Sequence, residues 1–252
     1  MLLAIDIGNT TIALGLIENK KVLKISRVET HLPRNFLRKK LRTICASFAR
    51  QCPQLEGIAI CSVVPPRLEM VQSVAEKIFS IKPFVIGKDR LVPITNCYRK
   101  PKQVGQDRLV CAYAAMTLYG APTVIIDFGT AITFDVVSRK KEYLGGIIIP
   151  GIRLSAESLS AKTALLPKIR IKGPKSLIGR DTQGSILSGL FYGYGAMSSG
   201  LISQIARQIG CRPKVIVTGG YIKVMRKFIQ SPIDAVDQNL VFKGIELVFW
   251  NR

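Results

Sequence analysis

Two short segments of the sequence combine an aspartate, a glycine and a threonine directly after an apolar run. They are Asp6-Ile7-Gly8-Asn9-Thr10, after residues 2–5, and Asp127-Phe128-Gly129-Thr130, after residues 123–126. Glycine lets a backbone approach a bulky anion, and threonine hydroxyl and backbone N–H groups donate to phosphate oxygens. A carboxylate beside phosphate needs a cation between them, so Asp6 and Asp127 predict Mg²⁺ or a monovalent cation.

One Asp-x-Gly turn alone is weak support for a phosphate site, because turns between strands use this pattern constantly. The second copy strengthens the case, since the similarity continues downstream: Thr10 matches Thr130, and Lys20-Lys21 matches Lys140-Lys141. The first loop carries one extra residue, Asn9. Each half therefore opens with strand, Asp-Gly loop, strand, polar turn and strand, and the sequence predicts a duplicated framework.

Patterns of apolar residues predict the elements that hold these loops. Strands are expected at 2–5, 10–17, 22–28, 55–64, 123–126, 130–137, 143–149 and 215–218, and helices at 36–50, 72–80, 107–118, 182–209 (one or two) and 241–250. Gly219-Gly220 is consistent with a plain turn or with a backbone contact to an adenosine. We expect an α/β protein of two similar lobes, residues 1–120 and 121–252, with mixed sheets flanked by helices and a ligand cleft between the lobes.

Asp107 stands at the start of an alanine-rich helical pattern, within Gly105-Gln106-Asp107-Arg108. An aspartate in this place is explained fully by capping of the helix N-terminus. It also suits a general base that accepts a hydroxyl proton during phosphoryl transfer. Arg108 beside it is suited to holding a substrate carboxylate. The residues alone leave both interpretations of Asp107 open.

The composition limits the classes of function. The formal net charge of +21 attracts nucleic acid, anionic lipid or anionic substrates such as ATP. The cations are spread along the chain without a nucleic-acid module, and only 7% of residues are aromatic, so we expect no dedicated nucleic-acid partner. A single histidine and six cysteines without a Cys-x-x-Cys pair exclude a zinc set. No apolar run reaches ~18 residues and no basic leader is present, so we expect a soluble cytoplasmic protein without a membrane partner.

Further motifs continue the series along almost the whole chain. In order they are Asp6 to Thr10, Ser62-Val63-Val64-Pro65, Tyr98 to Arg108, Asp127 to Ala131, Gly145-Gly146 with Pro150-Gly151, Leu165-Leu166-Pro167, Gly179 to Thr182 and Thr218-Gly219-Gly220. Together they resemble the type III pantothenate kinases, of the acetate kinase, sugar kinase, heat-shock 70 and actin superfamily. The resemblance implies a duplicated ribonuclease H-like (actin-like) fold. It also implies ATP-dependent phosphorylation of pantothenate to 4′-phosphopantothenate, the first step of coenzyme A biosynthesis.

The same resemblance implies a role for each matching residue. Asp107 would be the general base. ATP would bind to Asp6, Ile7, Gly8, Asn9, Thr10, Thr11, Ile12, Ala13 and Thr130. Pantothenate would bind to Tyr98, Gly105, Gln106, Asp107, Arg108 and Thr182.

The implied cofactors are Mg²⁺ with ATP and a monovalent cation. Asp127 would bind K⁺ or NH₄⁺, and Asp6 would face Mg-ATP directly or through water. Thr182 would come from the neighbouring subunit's side of a shared site, so a homodimer formed through helices of the second lobe is implied. Two alternatives stay open: another small-molecule kinase of sugar type with the same fold, and a non-catalytic regulatory protein that retains the fold.

Overall fold

The computed structural model describes residues 1–52, 54–163 and 165–251, which divide into two units. The first unit comprises Met1–Leu118 and the segment that begins at Asn239, and the second unit is Tyr119–Gln238. This division differs from the predicted lobes in the closing helix, which lies in the first unit. The sequence pattern assigned it to the second lobe because it follows that lobe in the chain.

Three strands open each unit, and helices with further strands follow. The strands are β1 (Leu2–Ile7), β2 (Thr11–Glu18), β3 (Lys21–Glu29), β4 (Gly57–Ser62), β5 (Phe84–Val85), β6 (Thr95–Asn96), β7 (Thr123–Phe128), β8 (Ala131–Val137), β9 (Glu142–Pro150), β10 (Lys214–Thr218) and β11 (Ala235–Val236). The helices are α1 (Arg34–Gln51), α2 (Pro65–Phe79), α3 (Gln106–Leu118), α4 (Ile152–Lys162), α5 (Thr182–Gln208), α6 (Ile222–Met225) and α7 (Leu240–Trp250). Among the described residues, no helix is long and apolar enough to cross a membrane.

The first unit is built on a mixed sheet of order β3-β2-β1-β4-β5. β1 pairs antiparallel with β2 and parallel with β4, so its apolar residues are buried on both faces. One face packs against apolar residues of α1 and α2, including Leu37, Leu41 and Phe48. α7 contacts β1, β2, β4 and α3, which explains why the closing helix belongs to this unit.

The second unit repeats this arrangement. Its own strands follow the order β9-β8-β7-β10-β11, in which β7, β8 and β9 are antiparallel neighbours and β10 and β11 are parallel additions. Counted from the start of each unit, both sheets have the order 3-2-1-4-5. The predicted duplication and the predicted mixed sheets flanked by helices are therefore confirmed.

Several helices differ from the predicted ones. α2 begins at Pro65, seven residues before the predicted start, because prolines are tolerated in the first turn of a helix. Residues 182–208 form one helix rather than two. α4 was not predicted, since it directly follows the strand-forming run that ends at Pro150 and has no capping side chain at its N-terminus.

A polar network is buried inside the second sheet. Asp135 on β8 is only 2% exposed, and its carboxylate accepts hydrogen bonds from the Tyr143 hydroxyl at 2.7 Å and the Thr133 hydroxyl at 3.0 Å. A buried carboxylate is tolerated only when its lost hydration is replaced by donors of this kind. The Tyr143 hydrogen bond joins β9 to β8 and therefore helps to keep these two strands in register.

We expect Tyr143→Phe to lower the free energy of unfolding by about 1.5–3 kcal/mol, because it removes a buried hydrogen bond to a charged group. Chemical denaturation followed by circular dichroism measures the loss. Tyr192→Phe is the matched control: it removes the same atom from a half-buried ring that packs edge-on against Phe228, outside this network. Equal stability of the two variants would contradict the account of the Asp135 network.

Candidate active site

The β1–β2 hairpin forms a narrow loop at Gly8, Asn9 and Thr10. Its strands are in register up to the pair Ile7 and Ile12, and the Gly8 N–H donates to the Thr11 carbonyl at 3.0 Å. Thr30, at the end of β3, braces the loop: its hydroxyl donates to the Gly8 carbonyl at 2.7 Å and its N–H to the Thr10 carbonyl at 2.9 Å. The tip residue, Asn9, is exposed. The loop is thus held rigidly while its tip stays open to a ligand.

The β7–β8 hairpin has the same design with one residue fewer. The last paired residues are Phe128 and Ile132, and the Gly129 N–H donates to the Ala131 carbonyl at 3.2 Å. The Thr130 carbonyl accepts from the Gly151 N–H at 3.0 Å, just as the Thr10 carbonyl accepts from Thr30. The predicted pairing of Thr10 with Thr130, and the extra residue Asn9, are therefore visible in the hydrogen bonds.

Two carboxylates of the first unit lie close enough to one buried thiol to raise its pKa. Asp6 and Cys61 are partners in the parallel β1–β4 ladder, and α3, which carries Asp107, packs against β4. Cys61 is fully buried. Burial, and then the charges of Asp6 and Asp107, raise the pKa of the Cys61 thiol well above its ordinary value. Asp6 and Asp107, far apart in the sequence, thus lie in one neighbourhood, next to the first hairpin.

Asp107 lies inside the first turn of α3, since the helix begins at Gln106. Its Oδ1 accepts the Arg108 N–H at 2.8 Å and lies against Gly105, where a Cβ would come within 2.5 Å of it. The capping interpretation required Asp107 to be the residue directly before the helix. Asp107 is instead the second residue of the helix. Its carboxylate is half-buried and stabilised by the positive end of the helix.

In the second unit, the Asp127 side chain lies in a cradle formed by glycines. A Cβ on Gly219 would lie 2.3 Å from Asp127 Oδ1, and Gly219 has a φ of +96°, which disfavours any other residue. A Cβ on Gly129 would lie 3.3 Å from the same oxygen. A carboxylate oxygen beside glycine backbone is suited to a cation that takes oxygen ligands, with carbonyl groups completing its shell.

The other predicted site residues lie in both units. Tyr98, Gln106 and Arg108 are half-buried side chains of the first unit. Thr130 and Thr182 are exposed in the second unit, with Thr182 opening α5 directly after its N-cap residue Asp181. Within the described part of the chain, no three His, Cys, Asp or Glu side chains are grouped so that they could hold a metal ion. A divalent ion would therefore depend on ligands from the phosphates it accompanies.

Three structural features were not predicted from the sequence. Cys61 and Thr30 do not belong to any recognisable motif. The strand register would have indicated them, because it places Cys61 opposite Asp6 and Thr30 beside the loop of the first hairpin. The third feature is a cavity of about 330 Å³ in the second unit. It is lined by Arg153, Ala156, Glu157 and Ser160 of α4, by Lys168, Ile169 and Ile171, and by Tyr221.

The chain was compared with known families and proteins. Residues 2–204 match the model of the type III pantothenate kinases. A type III pantothenate kinase from Persephonella marina is 42% identical, with 97% of this chain and 96% of the relative aligned. One from Halalkalibacterium halodurans is 36% identical over 99% of this chain and 98% of its own length.

Among solved structures, a ROK family glucokinase from Streptomyces griseus, in complex with glucose and AMPPNP, superposes with a TM-score of 0.53. The two chains share 13% identity, and the match covers 98% of this chain and 99% of that one. At this identity the likeness concerns the fold alone. It confirms the actin-like, duplicated fold class for this chain.

The raised pKa of Cys61 predicts its reactivity. Because the thiolate is the nucleophile, a thiol that stays protonated above its ordinary pKa and is fully buried should resist alkylation. We expect iodoacetamide at about pH 8 to modify the exposed Cys97 in the folded protein and to leave Cys61 unmodified until the chain is unfolded. Mass spectrometry of the digested protein reads out both sites. Similar labelling rates for the two cysteines would contradict the described neighbourhood of Cys61.

Proposed function

Because the chain belongs to the type III pantothenate kinase family, we propose that it transfers the γ-phosphoryl group of ATP to the primary hydroxyl of pantothenate. The product is 4′-phosphopantothenate, the first intermediate of coenzyme A biosynthesis. Membership of a kinase family implies ATP and a divalent metal ion. The observation that carries the assignment of residues is that Asp6 pairs with Cys61 of β4, against which α3 with Asp107 packs, beside the braced first hairpin.

The first hairpin is the site for the ATP phosphates. Within the segment Asp6 to Ala13, the loop between the strands presents its backbone at Asn9 and Thr10, and the hydroxyls of Thr10 and Thr11, to phosphate oxygens. Asp6 faces the divalent ion that accompanies ATP, which offsets the repulsion between its carboxylate and the phosphates. Bracing by Thr30 keeps these donors in place, so little ordering is needed when ATP binds.

Asp107 is the general base. Its carboxylate accepts the proton of the pantothenate hydroxyl while the hydroxyl oxygen attacks the γ-phosphorus and ADP departs. Placement in the first turn of α3 favours the ionised form, so Asp107 is ready to accept a proton at neutral pH. The proximity of Asp6 supports this assignment, because base and phosphate site must lie within reach of one transferred group.

Pantothenate is held by Tyr98, Gly105, Gln106 and Arg108, with Thr182. The Arg108 guanidinium suits the pantothenate carboxylate, since it can donate two parallel hydrogen bonds to it. We assign Thr182 to a site shared between subunits of a homodimer. Support comes from exposed apolar side chains of the second unit: Ile148, Leu165, Leu177 and Ile178 are 62–91% exposed, and Leu177 and Ile178 lie shortly before Thr182 in the sequence. A surface of this kind is typical of a protein contact.

The nucleoside of ATP enters the cavity of about 330 Å³ in the second unit. Its volume lies in the range of small-molecule sites. Tyr221 offers a ring for stacking and follows Gly219-Gly220 directly, and Thr130 lies in the second hairpin of the same unit. This assignment favours the second interpretation of the glycine turn, a backbone contact near the adenosine.

Asp127 binds the monovalent cation, K⁺ or NH₄⁺. The glycine cradle at Gly219 and Gly129 fits such an ion, which takes several oxygen ligands without strict geometry. When bound, the cation supplies positive charge near the nucleotide. We also infer a cytoplasmic location, because the reaction consumes ATP and all six cysteines are free thiols.

Asp107→Asn tests the general base. We expect kcat for pantothenate to fall by ~10²–10⁴-fold, since an amide cannot accept the proton, with little change in the melting temperature. Coupled detection of ADP release measures the rate. Glu76→Gln, which neutralises an exposed carboxylate on α2, is the matched control and should keep full activity.

Two outcomes would overturn this assignment in different ways. Full activity of Asp107→Asn would remove Asp107 as the base while leaving the pantothenate kinase activity itself. A wild-type protein that phosphorylates hexoses in preference to pantothenate would instead favour the sugar-kinase alternative.

Gly219→Ala tests the cation site. The added Cβ would lie 2.3 Å from Asp127 Oδ1 and 2.6 Å from the Phe128 backbone, so the carboxylate and the adjoining backbone must shift and the apparent affinity for K⁺ should fall by about 10–100-fold. Activity is measured against KCl at constant ionic strength, with NaCl as the balancing salt. Gly200→Ala, where a Cβ meets nothing within 4 Å, is the control and should respond to K⁺ normally. Equal wild-type activity in K⁺ and Na⁺ would contradict a role for the cation.

A further inference from the structure

The proposed site leaves most of the net charge of +21 unexplained. The structure shows where part of it is concentrated. α1 contains six Arg or Lys residues and no Asp or Glu over 18 residues. All six side chains are exposed: Arg34, Arg38, Lys39, Lys40, Arg42 and Arg50. In the sequence these cations resembled other basic stretches; in the structure all six lie on one helix, distributed around its exposed sides.

Within the described part of the chain, the α1 cations form no ion pair with an acidic side chain. Arg34 lies in the first turn, where the helix dipole disfavours a positive charge. Arg38 and Arg42 are four residues apart, a spacing at which like charges repel. The helix itself is held by packing of its buried residues, so these charges work against its stability unless an anion meets them.

The spacing of the cations suits an extended polyanion. Lys39, Arg42 and Arg50 fall on the side of the helix opposite the buried Leu37 and Leu41, as the 3.6-residue period requires. From Arg34 to Arg50 the helix rises roughly 24 Å at 1.5 Å per residue. That length corresponds to about seven successive phosphates of one strand of a duplex.

We propose that the exposed face of α1 binds the phosphate backbone of nucleic acid, without preference for sequence. This departs from the expectation of no dedicated nucleic-acid partner, which rested on cations spread along the chain. An anionic membrane fits less well, because Leu37, Leu41 and Phe48 of α1 are buried in the core and the exposed Phe36 is a single large apolar side chain, too little to insert into a bilayer. Phe36, 66% exposed and one helical turn before Lys40, suits stacking on a base instead.

The test is a pair of triple variants that remove equal charge from different places. One variant removes three of the six positive charges of α1 (Lys39→Gln, Arg42→Gln, Arg50→Gln). The other neutralises the exposed β8–β9 turn (Arg139→Gln, Lys140→Gln, Lys141→Gln). Fluorescence anisotropy measures binding of each protein to a labelled DNA duplex of about 24 base pairs over a series of KCl concentrations.

We expect the wild-type protein to bind with an affinity that falls linearly in a plot of log K against log salt. The α1 variant should reduce the slope of that plot by about 2.7, from about 0.9 for each lost phosphate contact, and the turn variant should leave it nearly unchanged. Pantothenate kinase activity should be normal in both variants, because neither set lies in the proposed site. Binding and catalysis are therefore tested separately.

Three results would overturn the proposal. If both triple variants weakened duplex binding equally, the binding would depend on the overall positive charge of the protein and not on α1. If the wild-type protein did not bind the duplex even at low salt, nucleic acid would be excluded as the partner of α1. Loss of binding to phosphatidylserine vesicles in the α1 variant, with unchanged duplex binding, would assign the face to an anionic membrane instead.

Discussion

The register of β1 between its two neighbours determines where the polar groups of the first unit lie. Antiparallel pairing with β2 ends at Ile7 and Ile12, which leaves Gly8 to Thr11 as the loop, and parallel pairing with β4 sets Asp6 beside Cys61. A shift of one residue would move every β1 side chain to the opposite face of the sheet and take Asp6 out of its place beside Cys61. The first hairpin loop, the buried thiol and the approach of α3 all depend on this one register.

The second unit repeats the register but has diverged in chemistry. In the first sheet Asp6 is the neighbour of Cys61, and at the equivalent position of the second sheet Asp127 is the neighbour of Thr218. Because Gly219 has no side chain, the Asp127 carboxylate can pack directly against its backbone. The first hairpin is longer by Asn9 and has the Thr30 side chain as a brace, whereas the second is closed by the backbone of Gly151. We infer that duplication supplied two equivalent loops and that these small substitutions separated phosphate binding from cation binding.

The duplicated hairpins could be predicted from the sequence because Asp-x-Gly turns and alternating strands are local patterns. The extra Asn9 was also evident, since matching residues on both sides fix the alignment of the two copies. Contacts across the sheet could not be predicted in this way. The proximity of Asp6 and Asp107 depends on the packing of α3 against β4, and the packing of α7 on the first unit depends on contacts with residues far away in sequence. α4 lacked the capping signal that would have marked its start, and the cavity it lines was missed with it.

We propose that the pantothenate hydroxyl meets the γ-phosphate between Asp107 and the first hairpin. The most direct measurement is a crystal structure of the protein with a non-hydrolysable ATP analogue and pantothenate. We predict the hydroxyl oxygen within about 2.6–3.2 Å of an Asp107 carboxylate oxygen, and the terminal phosphate against the backbone of Gly8 to Thr11. Pantothenate bound with its hydroxyl out of reach of Asp107, or phosphates held away from this hairpin, would contradict the account.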